Sequence, residues 1–427
     1  MYERAPNVYG VSDSRVLAHF LARYREPSCT RGALELAITA VPFVLIWILM
    51  WATLDMGYWI CLLLAVPAAG FLVRLFMIQH DCGHGSFFRR RRANDWVGRI
   101  IGVLTLTPYD FWRRTHALHH AASGNIDRLG IGDIETLTVN QFLALPRWRR
   151  LRYRLYRHPI VMFGVGPAYL FILRHRLPRG LMSSSWHLRV STMATNVAIA
   201  MLVASMVWLV GVGPFLLVQL PTTVLAGSIG VWLFYVQHQF EDTSWDHEED
   251  WNFQGAALHG SSHYDLPSVL RWFTANIGVH HVHHLCSRIP YYRLPRVLRD
   301  YPQLAAVGRL TLFQSLRCIH MVLWDEKRRR LISFREMRTV MSATGNGMTP
   351  PEIALSFPRS PQITRVNTAP AQDAVHSSRT LDVTIRAAAS SLTRRCASSR
   401  EGIMDALNIR TDSMRARRGR PAVPQGS

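Results

Sequence analysis

Four stretches of this chain are apolar for about as long as a bilayer is thick, and a soluble fold has no single core in which to bury them. Residues 34–54 carry a charge only at Glu35, near their start, and a helix of that length rises about 30 Å, the depth of a hydrocarbon core. Residues 58–77 carry only Arg74, placed near the end where a long side chain can snorkel to the interface. Residues 194–212 and 215–236 form a second pair of runs, parted by Gly213 and Pro214, which stop a helix and permit a reversal. The expected architecture is therefore an all-α integral membrane protein, with four transmembrane helices in two hairpins and a cytoplasmic helical cap.

Length alone would suggest two or three soluble domains, since the chain has 427 residues. Composition overrides that reading, because 49% of residues are hydrophobic and only 18% charged. A net charge of +21 raises nucleic-acid binding, yet the Arg residues flank the apolar runs, as a positive-inside membrane face requires. No nucleic-acid partner is expected. Residues 147–157, RWRRLRYRLYR, interleave Arg with Leu, Tyr and Trp, which suits a helix lying among anionic headgroups. Residues 97–107 and 160–173 are too short to cross and read as interfacial or re-entrant.

Charge sets orientation. The Arg-rich segments all lie outside the runs, and the two breaks carry neither Lys nor Arg, so both termini and the large loops are expected on the cytoplasmic face. The N-terminus, MYERAPNVYGVSDSR, has no apolar core of a signal peptide. Six Cys without paired spacing exclude a disulfide scaffold. The domain reading is an N-terminal segment at 1–33, a membrane domain at 34–342, and a basic tail at 343–427 with 12 Arg against 6 acidic residues, expected to be disordered.

Chemistry concentrates in histidine. Of 19 His, nine fall in three short clusters: HDCGH (His80, His84), HALHH (His116, His119, His120) and HHVHH (His280, His281, His283, His284). Spacings of three and four put the rings of a cluster on one side of a helix, with His281 turned elsewhere. No full span separates the first two clusters and an even number separates the second from the third, so all three emerge on one membrane face. Eight convergent imidazoles exceed what one zinc uses and suffice for two metals. HDCGH lacks the Glu of HExxH, so the general base of a metalloprotease is missing. Imidazole suits iron, copper, nickel and zinc; iron is the metal that would activate oxygen beside a lipid chain. His238, at the cytoplasmic end of the fourth run, is a candidate ninth ligand.

The blocks HDCGHGSFF, HALHHAASGNID, YVQHQFEDT and NIGVHHVHHLCSRIPYYRL resemble those of the membrane fatty acid desaturases, in particular the acyl-lipid group that includes omega-6 (delta-12) desaturases. The resemblance covers about residues 34–325. It implies a non-haem diiron centre, O2 as co-substrate, two electrons from an external donor such as reduced ferredoxin or a cytochrome, and a cis double bond introduced into an acyl lipid. Carried over by position, the iron ligands are His80, His84, His116, His119, His120, His280, His283 and His284, with His238 or Asn276 as a further metal-binding or supporting residue. Asp81, Asp110, Asp133, Asp242 and Asp265 are the acids expected to orient imidazoles through their second nitrogen. A membrane lipid or carotenoid hydroxylase or ketolase shares such a His set; SRIPYYRL after the third cluster favours desaturation. A metal-handling membrane protein would place ionisable residues along an ion path within the spans, and these runs offer only Glu35 and Arg74. No Cys cluster for a fused iron–sulfur domain is present.

Overall fold

The computed structural model describes residues 20–128, 132–177 and 185–343; the tail expected at 343–427 lies, apart from Ala343, outside the described residues, as does most of the N-terminal segment. The fold is mainly helical. In chain order the elements that position the site are α1 (Cys29–Ala52), α2 (Tyr58–His84), α3 (Arg91–Leu104), α4 (Tyr109–Ala122), α5 (Arg147–Tyr156), α6 (Trp186–Val210), α7 (Val212–His238) and α8 (His280–Leu285). Helices α1, α2, α6 and α7 are each long and apolar enough to cross a membrane. Two small sheets brace the remainder: Leu323–Asp325 pairs with Leu137–Thr138 and with Arg330–Ile332, and His263–Asp265 pairs with Arg309–Thr311.

The spans run longer than their apolar runs. Helix α2 continues through Gly83 to His84, because Gly83 keeps helical backbone and the first residue in the left-handed region is Gly85, whose φ of 69° caps the helix. Helix α7 likewise continues to His238, and its start is set by Gly211 at φ 88°, so the break lies there and not at Gly213 and Pro214. Pro214 falls in the first turn of α7, where its missing N–H costs nothing. Large apolar side chains on the four helices, among them Val41, Leu63, Met201 and Leu217, are exposed. Exposed apolar surface on this scale is what a lipid-facing wall presents.

Between α1 and α2 the reading of Arg74 as a snorkelling residue is corrected. Its guanidinium is buried, ion-paired to Glu35, donates through Nε to Thr39 Oγ1 at 3.1 Å, and lies 4.0 Å from the centroid of Trp272. Each charge is thus matched inside the protein, which a lone cation in hydrocarbon cannot be.

Close packing sets the register of the cluster-bearing helices. Tyr109 donates to the Cys82 carbonyl at 2.8 Å and fills the space over Gly98, where a Cβ would sit 2.3 Å from the ring. At the third cluster, Tyr264 N–H donates to Gly278 O at 2.7 Å, and a Cβ at Gly278 would meet the Tyr264 carbonyl at 2.3 Å. Ser262 N–H donates to Gln237 O at 2.9 Å, which ties this strand to the end of α7. A Gly278→Ala substitution is therefore expected to push α8 off its strand and destabilise the protein by about 1–3 kcal/mol, the usual cost of overpacking, together with loss of metal affinity. Thermal unfolding and metal titration of that variant check it; an unchanged metal affinity would show that α8 is positioned by other contacts.

Candidate metal centre

Three pairs of histidines share a helix at a spacing of four: His80 and His84 at the end of α2, His116 and His120 in the last two turns of α4, and His280 and His284 on α8. One turn apart, each pair projects two rings side by side. The pairs converge with single histidines to make two groups. His80, His84, His116, His120 and His283 form the first, and His119, His238, His280 and His284 the second; within each group the candidate ligand nitrogens lie within 4.8 Å of one another.

Nearest neighbours are far closer. His116 Nε2 lies 3.0 Å from His80 Nε2 and 3.1 Å from His84 Nε2 and His120 Nε2, while His283 Nε2 lies 3.1 Å from His120 Nε2. In the second group His280 Nε2 is 3.1 Å from both His238 Nε2 and His284 Nε2. A metal–imidazole bond of about 2.1 Å places adjacent ligand atoms on a coordination sphere about 3.0–3.4 Å apart, so the donors stand at coordination spacing.

The outer nitrogens show which tautomer faces inward. His80 Nδ1 is 3.3 Å from Asp81 Oδ1, His238 Nδ1 is 3.3 Å from the Gly260 carbonyl, and His119 Nδ1 bonds Asp133. A neutral ring that donates through Nδ1 turns a bare lone pair inward at Nε2. His119 Nε2 is buried and has no hydrogen-bond partner. Burial, and then the neighbouring rings, hold His116, His120, His280, His283 and His284 well below the ordinary histidine pKa, so protons do not fill the space between them at neutral pH. Facing lone pairs repel, and a cation between them removes the conflict. The donor set therefore fits two metals, and its all-nitrogen character suits iron, copper, nickel or zinc.

The sequence-derived candidates sort cleanly. All eight cluster histidines meet, and His238 joins them. His281 does turn away: its Nε2 lies 2.9 Å from the Leu304 carbonyl, and burial pushes its pKa down to about 3. The Asn276 amide donates to the Tyr291 carbonyl at 3.3 Å, and its φ of 56° makes a turn. Of the five acids, Asp81 and Asp133 reach imidazoles. Asp110 is instead bound to Arg99, Arg113 and Ser191, and Asp265 to Arg309. No hydrogen bond joins Asp242 to a ligand ring among the described residues. Two contacts were not foreseen: Trp112 stacks on His116 with centroids 4.6 Å apart, and Phe234 packs against His119 and His238.

A family model described as "Fatty acid desaturase" matches residues 56–315, more than half of the chain. The chain belongs to the fatty acid desaturase family. A "Fatty acid desaturase" of Bacillus subtilis is 44% identical over 321 residues, covering 75% of this chain and 90% of the relative. Two Synechocystis proteins are more distant, each 28% identical: an "sn-1 acyl-lipid omega-3 desaturase (ferredoxin)" over 52% of this chain and 62% of the relative, and an "sn-1 oleoyl-lipid 12-desaturase" over 52% and 63%. This chain thus spans less than two thirds of the length of these two. Desaturases of this family are oxidoreductases acting on acyl lipids, and the chain is an enzyme of that class with apolar helices of membrane-spanning length.

Proposed function

We propose that the chain is a membrane acyl-lipid desaturase whose nine convergent histidines hold a non-haem diiron centre, and that it forms a cis double bond at the delta-12 (omega-6) position of a lipid-borne acyl chain. The observation that carries this reading is the convergence of Nε2 atoms from three clusters and the end of α7 into two groups at coordination spacing. Membership of the desaturase family and the likeness to an oleoyl-lipid 12-desaturase support it. The overall reaction balances as O2, two electrons and two protons plus one –CH2–CH2– unit, giving –CH=CH– and two waters. Iron, when bound, would supply oxygen activation strong enough for an unactivated methylene.

The chain's own residues supply placement. Asp81, Asp133 and the Gly260 carbonyl fix three rings through Nδ1, so that the lone pairs are aimed before any metal arrives. Trp112 and Phe234 keep water from the ligand rings, which protects a reactive centre from side reactions. Selectivity for one methylene comes from holding that carbon next to the centre. The membrane domain is proposed at 34–342, with the site and both termini cytoplasmic, since neither helix-joining break carries Lys or Arg.

The external donor is proposed to be a small acidic carrier such as ferredoxin, in keeping with the ferredoxin named for the omega-3 relative. Of the cationic residues near the clusters, Arg113 is tied to Asp95 and Asp110, whereas Arg114 and Arg288 are exposed and make no ion pair among the described residues. Raising salt from about 50 to 300 mM shortens the Debye length from about 14 to 6 Å, so donor-limited turnover should fall several-fold. Arg288→Glu should raise the apparent KM for the donor and leave that for lipid unchanged. A salt-independent, donor-limited rate would refute this docking face.

Fatty-acid analysis of a host expressing the chain tests the function directly. A new delta-12 double bond, absent when His283→Ala is expressed, is the expected result. A hydroxylated product would identify a hydroxylase instead.

A further inference from the structure

Helix α5 carries an apolar stripe that the fold leaves uncovered. Trp148, Leu151 and Leu155 are 59%, 59% and 55% exposed. At about 100° per residue they lie within an arc of about 60°, with Arg147 and Arg152 about 40° beyond its two edges. Arg147, Arg149 and Arg152 are exposed and make no ion pair among the described residues, although the Arg149 guanidinium lies 5.0 Å from the centroid of the Trp148 ring. The other Arg residues of the helix are used inside the protein. Arg150 Nε donates to the Leu145 carbonyl at 2.8 Å, Arg154 lies over Phe142 and Phe334, and the buried Arg157 donates to the Tyr235 hydroxyl and to Gln239 Oε1, each at 3.1 Å.

Those anchors fix the depth of α5. Arg157 holds the end of the helix to the last turn of α7, beside His238. The chain then turns along α7 through residues 161–173: Phe163 meets Trp232 and Tyr235 at centroid distances of 5.1 and 5.2 Å, and Phe171 and Pro167 lie against Gly227. Tyr235 to Gly227 is a descent of about 12 Å along a helix. The outer side of this arm exposes Ile160, Val165, Tyr169 and Leu173. Helix α5 therefore starts from the rim of a span, with an exposed apolar stripe, Arg147 and Arg152 at its edges and Arg149 against Trp148.

We propose that α5 is an interfacial helix that binds anionic phospholipid, with Arg147 and Arg152 on headgroup phosphates and Trp148, Leu151 and Leu155 among the first acyl carbons. An acidic protein would satisfy the guanidiniums and leave the stripe between them in water; a lipid surface covers both. The proposal rests on the membrane reading of the spans and is independent of the metal chemistry.

The test uses the full chain in phosphatidylcholine nanodiscs doped with equal amounts of brominated phosphatidylglycerol or brominated phosphatidylcholine. The difference in fluorescence between wild type and Trp148→Phe isolates Trp148. Its emission should be quenched, and more strongly by the anionic lipid. Each Arg near a charged surface contributes about 1 kcal/mol, about fivefold, so replacing Arg147 and Arg152 together by Gln, which leaves Arg149 against Trp148, should reduce the anionic preference by at least about tenfold. Equal quenching by the two lipids, or a preference that survives the double substitution, overturns the headgroup assignment. Absence of quenching, with Trp148 shielded from aqueous iodide only when an acidic protein is added, overturns lipid in favour of protein docking. Because fluorescence is read and not turnover, failure here leaves the desaturase reading standing, and a chain inactive as a desaturase can still pass.

Discussion

Alanine at His84 or at His284 is expected to abolish double-bond formation under the proposed diiron reading, each variant losing the metal of a different histidine group. His84 belongs to the five-histidine group and His284 to the four-histidine group, so each variant should retain about one tightly held iron per chain while losing activity by at least about 10³-fold, because a centre that needs both irons has no partial form. Asp133→Asn, which leaves every ligand in place but weakens the hold on His119, should cost about 10–100-fold in metal affinity or activity. His281→Gln should keep substantial activity, since that ring bonds the Leu304 carbonyl and not the centre. Iron analysis beside product analysis separates these cases. Loss of both irons in each single variant would mean that the nine histidines act as one indivisible site.

Truncating Arg74 to Ala is expected to destabilise the membrane domain by about 1–3 kcal/mol, because buried Glu35 then loses one of its two guanidinium partners and keeps only the half-exposed Arg31, 2.7 Å from its other oxygen. Arg74 and Glu35 are each 2% exposed at the side chain. Tyr291 links this pair to the centre: its hydroxyl donates to Glu35 Oε2 at 3.1 Å, and its N–H donates to Asp81 Oδ2 at 2.7 Å, where the other carboxylate oxygen faces His80. Arg74→Ala should therefore also weaken metal binding, although Arg74 touches no ligand. The double variant Glu35→Gln with Arg74→Met, which removes both charges, should recover much of the stability. Denaturant unfolding in detergent measures both. A change below about 1 kcal/mol for Arg74→Ala, the size of a solvent-screened pair, would contradict the burial of the pair.

How much of this was legible in the sequence follows from geometry. The runs of apolar residues located all four spans because length against bilayer thickness is a one-dimensional property. Their ends were misplaced where a helix continues into polar sequence, as α2 does through His80 to His84 and α6 does back to Trp186, since an apolar run marks the bilayer's thickness and not the helix's end. The clusters announced a shared site, but reading each cluster as one face missed how it divides. In HALHH, His116 and His120 are about 40° apart whereas His119 is rotated about 100° from His120, enough to send it to the other group; in HHVHH, His283 leaves His280 and His284 in the same way. That angle was computable, yet its meaning needed the rings of the other helices. Partners distant in sequence were not legible at all. Arg74 with Glu35, Arg157 with Tyr235, and Asp133 with His119 are each set by tertiary packing, and Asp110, equally close to a cluster in sequence, went to Arg99 and Ser191 because α3 and α6 pass beside it.

The most direct test of the account is metal content of the purified full chain after anaerobic reconstitution, read by elemental analysis together with iron spectroscopy. Nine imidazoles in two groups predict about two metal ions per chain, and the proposed oxygen chemistry makes them iron rather than zinc. One zinc and no iron, with the protein folded and the histidines intact, would contradict it.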